Sequence, residues 1–442
     1  MIFIKIILIK MSVSAWIVTK DIRLEDNNTL KLALTNSSVV YPIFIFDELQ
    51  FANGNSNSKN FLIESLNELH NKLKSLNSCL HIVLKSNLVN FINDKHINNA
   101  YILRGYTPFE KQRNSDYSRI VQLYEIDDIL GLPYQNFLKS DGTYYKIFSY
   151  FEKNIDSKGQ FPLPDMNLPS EITKLGKFDE YVNFDYMSLM FYSKPKLPES
   201  TWIGGSTDGI QICMVRYSNL INANNANKPN YMRQEEKEEK DISAHIKFGT
   251  ISPRLAYHCG AKNGILWRAL YYILMENQVV TIKPRNVTWI EPSNPLFDRF
   301  LTAWRTGYTG YDLVDAGIHQ LLRTGFMDNK IRMLVANFLV FVLNINWQYG
   351  EQLFREHLVD YDWSLNLGNW AWAAQIGVDN PSPNRAYGGR PIRIFNPDTY
   401  LTDKKERKIY RNNYISKWLQ RDQIQKIVDF KHAISYTLQF YN

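Results

Sequence analysis

Apolar residues in the first third of the chain come in short bursts. SAWIVT (14–19), VVYPIFIFD (39–47), LHIVLK (80–85) and AYILRG (100–105) are β-branched and aromatic runs of strand length. Between them, residues 59–76 (KNFLIESLNELHNKLKSL) return an apolar side chain every three or four positions. The first kind of run suits a strand covered on both faces, the second an amphipathic helix. Their alternation from Ala15 to about Leu130 predicts an open, mostly parallel α/β sheet. No GxGxxG follows the first strand, so the standard dinucleotide fingerprint is missing.

The pattern then changes twice. Residues 135–235 form an irregular stretch containing Pro, Ser and Asn that leads into the charged run RQEEKEEKD, which reads as a connector laid over the surface with a solvated charged helix or loop. From Ile242 onward the periodicity is helical, as in ILWRALYYILMEN (265–277) and IRMLVANFLVFVLNI (331–345). Asp312, Asp315 and Gly325 bracket LVDAGIHQLLRT as a capped helix with a glycine terminus, and Asp328 is placed to cap the next one. The expected class is α/β plus all-α: an open parallel-sheet unit over 1–134, a long linker over 135–235 and a helical unit over 236–442.

Length supports that division, because 442 residues exceed one ordinary core. The three cysteines show neither pairing spacing nor a CxxC element, so no disulfide framework or metal centre is indicated, and a reducing, intracellular setting fits. The opening MIFIKIILIK is broken by Lys5 and Lys10 and has no cleavage site. It reads as a strand, or as an extension before a start at Met11, and not as a signal or a membrane span. A net charge of +7 suits a polyanionic partner without demanding one, and 14% aromatics supply surface for stacking.

One stretch does not read as core. Residues 360–380 (DYDWSLNLGNWAWAAQIGVDN) mix Asp360, Asp362, Asn366 and Asn369 with Trp363, Trp370 and Trp372. Acids and amides are rarely buried unless something satisfies them, so a flat, hydrogen-bonding ligand is expected there.

Five blocks in order resemble the photolyase/cryptochrome family: WIVTKDIRLEDNNTL (16–30), ISAHIKFGTISPR (242–254), WRTGYTGYDLVDAGIHQL (304–321), TGFMDNKIRM (324–333) and GNWAWAAQIGVD (368–379). The resemblance implies FAD held by the helical unit and UV-damaged DNA as partner. It implies blue-light electron transfer from the reduced flavin to a pyrimidine dimer flipped from the duplex. An antenna pigment of folate or deazaflavin type, a soluble intracellular monomer and no membrane or metal complete the expectation. NKIRM resembles the cyclobutane-dimer branch. The competing readings are a cryptochrome-like photoreceptor without repair, a (6-4) photolyase, and a DNA-binding relative without photochemistry.

Matching by position places Asn366 against the reactive part of the isoalloxazine, Asp360, Tyr361 and Asp362 along the adenine and ribose side, and Arg332 paired with an acid over the ring. Ser243 matches the pyrophosphate element, in which Glu239 and Lys240 replace two hydroxyls; Lys240 could neutralise a phosphate. Arg268 matches a basic position near the cofactor. Trp370 and Trp347 match the first two places of an electron-hopping chain. The third place is Glu291, with Trp289 two residues earlier as a substitute. Asn329 and Trp267 match flavin and lesion contacts, Lys330 and Phe326 replace a family Arg and Trp, and Arg393 and Arg233 are DNA contacts. Each residue has a plainer alternative as cap, core or surface charge; for Asp328 helix capping competes with proton donation. Gly264 stands where dimer-repair enzymes carry Glu, and the lost hydrogen bond to a charged group is worth roughly 1.5–3 kcal/mol.

Overall fold

The computed structural model describes residues 12–159, 161–178, 189, 195–225, 241–279, 289–379, 392–420 and 422–439. The opening decapeptide, Arg233, Glu239 and Lys240 lie outside them. Five parallel strands, β1 (Val13–Ile17), β2 (Val39–Phe46), β3 (His81–Leu84), β4 (Asn99–Leu103) and β5 (Gln122–Ile126), stand in the order β3-β2-β1-β4-β5. Side chains alternate across β1. Ala15 and Ile17 pack with Leu88, Ile92, Ile102 and Tyr117, while Trp16 packs with Leu30, Leu34, Val40 and Leu66 on the other face. Covered on both faces, the three inner strands β2, β1 and β4 can be largely apolar, and β3 at one edge shares the pattern because its first three residues are buried. The fifth is an edge strand with exposed Gln122 and Glu125, and its polar residues hide it.

Helices α1 (Asn28–Thr35), α2 (Glu48–Asn53), α3 (Ser56–Ser75), α4 (Leu88–Asp94) and α5 (Pro108–Ser118) accompany the sheet. Thr107 and Glu110 form a reciprocal capping box on α5, after a proline at its first turn.

Residues 135–178 are more ordered than an irregular connector. They contain α6 (Phe148–Ser157), and Phe137, Phe151, Ile155 and Phe161 enter the same core as the helical unit's Leu266, Leu270 and Tyr271. The stretch then returns to the sheet, where Leu175 bridges Val40. Helix α7 (Ser206–Asn225) follows; its polar spacing masked it in the sequence.

The helical unit comprises α8 (Ser243–Phe248), α9 (Lys262–Glu276), α10 (Phe297–Thr306), α11 (Asp312–Thr324), α12 (Asn329–Asn337), α13 (Trp347–His357), α14 (Trp363–Ala373), α15 (Lys405–Trp418) and α16 (Phe430–Leu438). Asp312 is not the cap of α11 but its first residue. No side chain caps α11; buried Asp315 instead braces the turn before it, its carboxylate accepting from Thr309 N at 2.9 Å, Thr309 Oγ1 at 2.6 Å and Gly310 N at 2.9 Å. Gly325 ends the helix at φ +72°, as its position predicts. No helix among the described residues is long and apolar enough to cross a membrane.

Candidate functional site

The polar stretch at 360–380 begins α14 and faces both units. Asp362 is its N-cap, accepting from Ser364 N at 3.1 Å and Leu365 N at 3.3 Å. The same carboxylate takes Lys20 Nζ at 3.0 Å, from the turn after β1, and Tyr272 Oη at 2.5 Å, from α9. Lys20 also meets Glu110 of α5 at 2.9 Å. Arg268 lies over the Tyr272 ring at 4.7 Å and donates to Ile129 O. Burial pushes the Asp362 carboxyl up, but Lys20, Arg268 and the donated hydrogen bonds outweigh it and hold the group well below the usual carboxylate range. Burial likewise opposes the Lys20 charge, and Asp362 and Glu110 raise it well above the ordinary lysine value regardless.

A second ion pair closes the other side. Arg332 of α12 holds Asp360 through Nη2 at 3.1 and 2.9 Å, and its Nε donates to Met327 O at 2.7 Å. Asn366, one turn into α14 and buried, donates to Glu351 Oε1 at 3.1 Å, and Tyr361 Oη reaches the same oxygen at 3.0 Å. Behind this wall stands Lys247 of α8, donating to Ser58 Oγ at 2.8 Å and Val359 O at 3.3 Å. Burial pulls its ammonium down to about 7, although Asp362 and Asp360 favour the charge. Nothing in the local sequence marked Lys247, because its desolvation depends on a segment nearly two hundred residues away.

Ser243 Oγ and Ser364 Oγ, at the starts of α8 and α14, are buried with no hydrogen-bond partner among the described residues. Unsatisfied buried hydroxyls require an explanation, and phosphate or sugar oxygens are suitable partners. With the two carboxylates and Asn366, the residues present fit a dinucleotide.

The tryptophans divide by depth. Trp370 is buried, edge-on to Trp304 at 6.4 Å and to Phe354 at 5.1 Å, and a Cβ on Gly350 would overlap its ring. Trp347 opens α13, and the segment that carries Trp289 is tied close to the start of that helix, Ile290 N donating to Asn344 O at 2.8 Å; both tryptophans pack partly buried on the core that holds Trp370. Glu291 is exposed.

The outer face is assembled from three places. On α9, half-buried Trp267 stacks flat on Phe148 with centroids 4.1 Å apart, and Gly264 lies one turn earlier, exposed. Asn329 and Lys330 start α12, where Asp328 accepts from Lys330 N at 2.9 Å, the capping geometry. Lys330 reaches over Tyr410 at 5.4 Å. Arg393 lies over the Trp372 ring at 4.5 Å, so this DNA-contact candidate is docked on α14. Phe326 is packed edge-on to Trp202 and under Arg332. Sequence reasoning missed the groove next to Phe148, lined by Lys139, Tyr144, Tyr145, Lys146, Tyr150 and Lys153. Its lysines are spaced without periodicity across a turn and a helix.

A parallel α/β unit is thus joined by buried ion pairs to a helical unit whose acids and amide are gathered at the start of α14, which defines a two-unit protein of the α/β plus all-α class. Residues 14–170 match the family model for DNA photolyase, and residues 262–435 match that for the FAD binding domain of DNA photolyase. The chain belongs to the DNA photolyase family, cryptochromes included. It is 27% identical over 434 residues to a deoxyribodipyrimidine photo-lyase of Buchnera aphidicola subsp. Baizongia pistaciae, covering 85% of this chain and 83% of that one. To cryptochrome-1 of Aedes aegypti it is 25% identical over 424 residues, covering 81% and 76%. The solved archaeal photolyase from Sulfolobus tokodaii, described with two FAD molecules, superposes with a TM-score of 0.77 at 26% identity, covering 97% of this chain and 99% of that one.

Proposed function

We propose that the protein repairs UV-induced pyrimidine dimers in DNA by light-driven electron transfer from reduced FAD, with the flipped lesion bound over the flavin. The match of both units to photolyase models carries the reading. When bound, the flavin supplies the photoexcited electron and takes it back after the ring opens. The chain's residues do the rest. Asp360 and Asp362 would accept from adenine and ribose, Ser243 would meet the pyrophosphate, and Asn366, fixed by Glu351, would present its amide to the isoalloxazine edge. Trp267, with one face already stacked on Phe148, offers its remaining surface to the extruded bases.

Trp370 and Trp347, with Trp289 as the substitute for the third place at Glu291, would supply an inward electron route for reducing a bound flavin. An antenna of folate or deazaflavin type has no identified site; in the crevice of about 480 Å³ between α5 and α9, Arg104 and Lys111 are both paired with Glu276. Oligonucleotides carrying one cyclobutane dimer or one (6-4) product, incubated with the reduced protein in blue light and in darkness, test the claim. Restoration of the cyclobutane dimer in light alone is expected; restoration of neither lesion removes it.

One observation favours a cryptochrome-like photoreceptor as the second reading. Gly264, exposed on α9, stands where the family resemblance places the carboxylate that dimer repair would use. Flavin photoreduction without lesion restoration would select that reading.

A further inference from the structure

The polar run NGNSNS (53–58) has the composition of a turn, yet side chains within it serve the other unit of the fold. Asn55 caps α3, its Oδ1 accepting from Ser58 N at 2.8 Å, and its amide donates to Arg355 O at 2.8 Å and Leu358 O at 3.0 Å. Asn57 Nδ2 donates to His357 O at 2.6 Å, and Ser58 Oγ to Val359 O at 2.8 Å. Lys247 Nζ reaches the same Val359 O from α8 at 3.3 Å. These carbonyls belong to the end of α13 and the two residues after it, and the last carbonyls of a helix have no partner inside it. Side chains of the α/β unit therefore cap a helix of the helical unit, with the positive end of α3 against the negative end of α13. The end of α11 is packed into the same joint: a Cβ on Gly325 would crowd the Asn57 amide, and Val359 N donates to Gly325 O at 2.8 Å.

Asp360, Tyr361 and Asp362, which the family resemblance places along adenine and ribose, follow Val359 directly. A shift of the Val359 carbonyl passes to them with no loop between to absorb it. We propose that Asn55, Asn57 and Ser58 are positioning residues for the flavin: through the end of α13 they hold the 360–362 backbone where its carboxylates meet the cofactor, so that the α/β unit sets how long the helical unit keeps FAD. The Lys20 and Arg332 ion pairs grip the two carboxylates themselves, whereas the joint fixes the backbone from which both project. Without its donors the segment samples other positions, and FAD affinity falls by the fraction of the competent one. This role rests on the flavin reading and not on repair chemistry.

Asn55→Asp probes the joint with least disturbance, because it keeps an oxygen for the α3 cap and loses the donor to Arg355 O and Leu358 O. Full-length wild type, N55D, N57A and S58A are loaded with FAD. Release is followed by flavin fluorescence after dilution, the bound flavin by its visible circular dichroism, and stability by thermal unfolding of the apoproteins. N55D and N57A should release FAD about ten-fold faster and alter the flavin dichroism. S58A should do so less, since Lys247 stays on Val359 O. Leu73→Ala opens the core at the far end of α3; it should lower stability and leave release and dichroism as in the wild type. Wild-type release in N55D and N57A, or release in L73A that rises in step with its lost stability, overturns the positioning role alone. A wild-type protein that takes up no FAD overturns the flavin reading and this role with it. Should N57A fail to fold, N55D and S58A decide by the same readings.

Discussion

Lys20 and Asp362, which stand on different units of the fold, are joined at 3.0 Å inside the protein, and Asp362 also caps the helix that forms the expected flavin wall. One carboxylate thus ties cofactor geometry to domain docking. Lys20→Met leaves Asp362 buried with only Tyr272, Arg268 and its cap donors, and should cost about 3 kcal/mol. The double change K20M/D362L should cost less than the sum of the singles, because the uncompensated charge is gone. Urea unfolding of the four proteins measures the coupling; simple additivity would show that the pair is inert. The folded pKa of Asp362 lies below its unfolded one, so its contribution is complete above roughly pH 4 and is lost as pH falls further. The stability gap between wild type and Asp362→Asn should therefore narrow on acidification.

A Cβ built on Gly264 meets nothing within 4 Å. The glycine is not there to relieve crowding, and α9 should accept Gly264→Glu with a gain of roughly 0.5–1 kcal/mol in helix stability. If the missing carboxyl limits splitting, the hydrogen bond restored is worth roughly 1.5–3 kcal/mol, a gain of about ten- to a hundred-fold in dimer splitting per bound lesion. Single-turnover flash repair at saturating oligonucleotide reads this directly. An unchanged yield would mean that repair here does not depend on a donor at this position.

Burial of Trp370 against Trp304 and Phe354 makes it the innermost ring of the proposed electron route. Trp370→Phe keeps most of the packing and should slow flavin photoreduction at least ten-fold, while chemically reduced protein repairs as before. Trp289→Phe separates the two outer routes. Slowed photoreduction would place Trp289 in the chain, and an unaltered rate would exclude it.

What the sequence disclosed follows from how local each signal is. Apolar runs identified β1 to β4 because their residues are largely buried, at the β3 edge as well, whereas the β5 edge is polar and exposed. The acids and amides at 360–380 stood out because they contradict a core pattern, and the structure pairs Asp360 and Asp362 with Arg332 and Lys20. The partner Lys20 was not legible, since it comes from the first βα turn. Lys247 was hidden for the same reason. Asp328 could be read both ways, and its bond to Lys330 N shows the cap.

Lys247 gives a pH signature of the same sign in a higher window. Its folded pKa, pulled down to about 7 by burial, lies below the unfolded value near 10.4, so between these limits the unfolded chain binds the extra proton. Stability contributed at this site is highest above that window, declines as pH falls through it, and is constant below about 7. Lys247→Met should flatten this part of the stability profile and raise stability near neutrality. Thermal unfolding of the two apoproteins from pH 6.5 to 10 tests it, and parallel profiles would refute the shift.

The groove beside Trp267 should set how tightly DNA is held, and not how well it is repaired. Lys139, Lys146 and Lys153 are exposed along it, and none makes an ion pair within 4.0 Å among the described residues. Tyr150 exposes 60% of its surface there, and Phe148 connects the groove floor to Trp267 through the flat stack. Phosphates on the strand flanking an extruded lesion would meet three cations and three tyrosines, a sequence-independent combination. Each phosphate contact contributes roughly 0.7–0.9 to the slope of log affinity against log salt, so replacing all three lysines by glutamine should lower the slope by about 2 to 3. Affinity at low salt should fall for damaged and undamaged oligonucleotides alike, whereas splitting per bound lesion should not change. Fluorescence anisotropy over a salt series, paired with single-turnover repair, separates the two effects; an unaltered slope would place the DNA track elsewhere on the molecule.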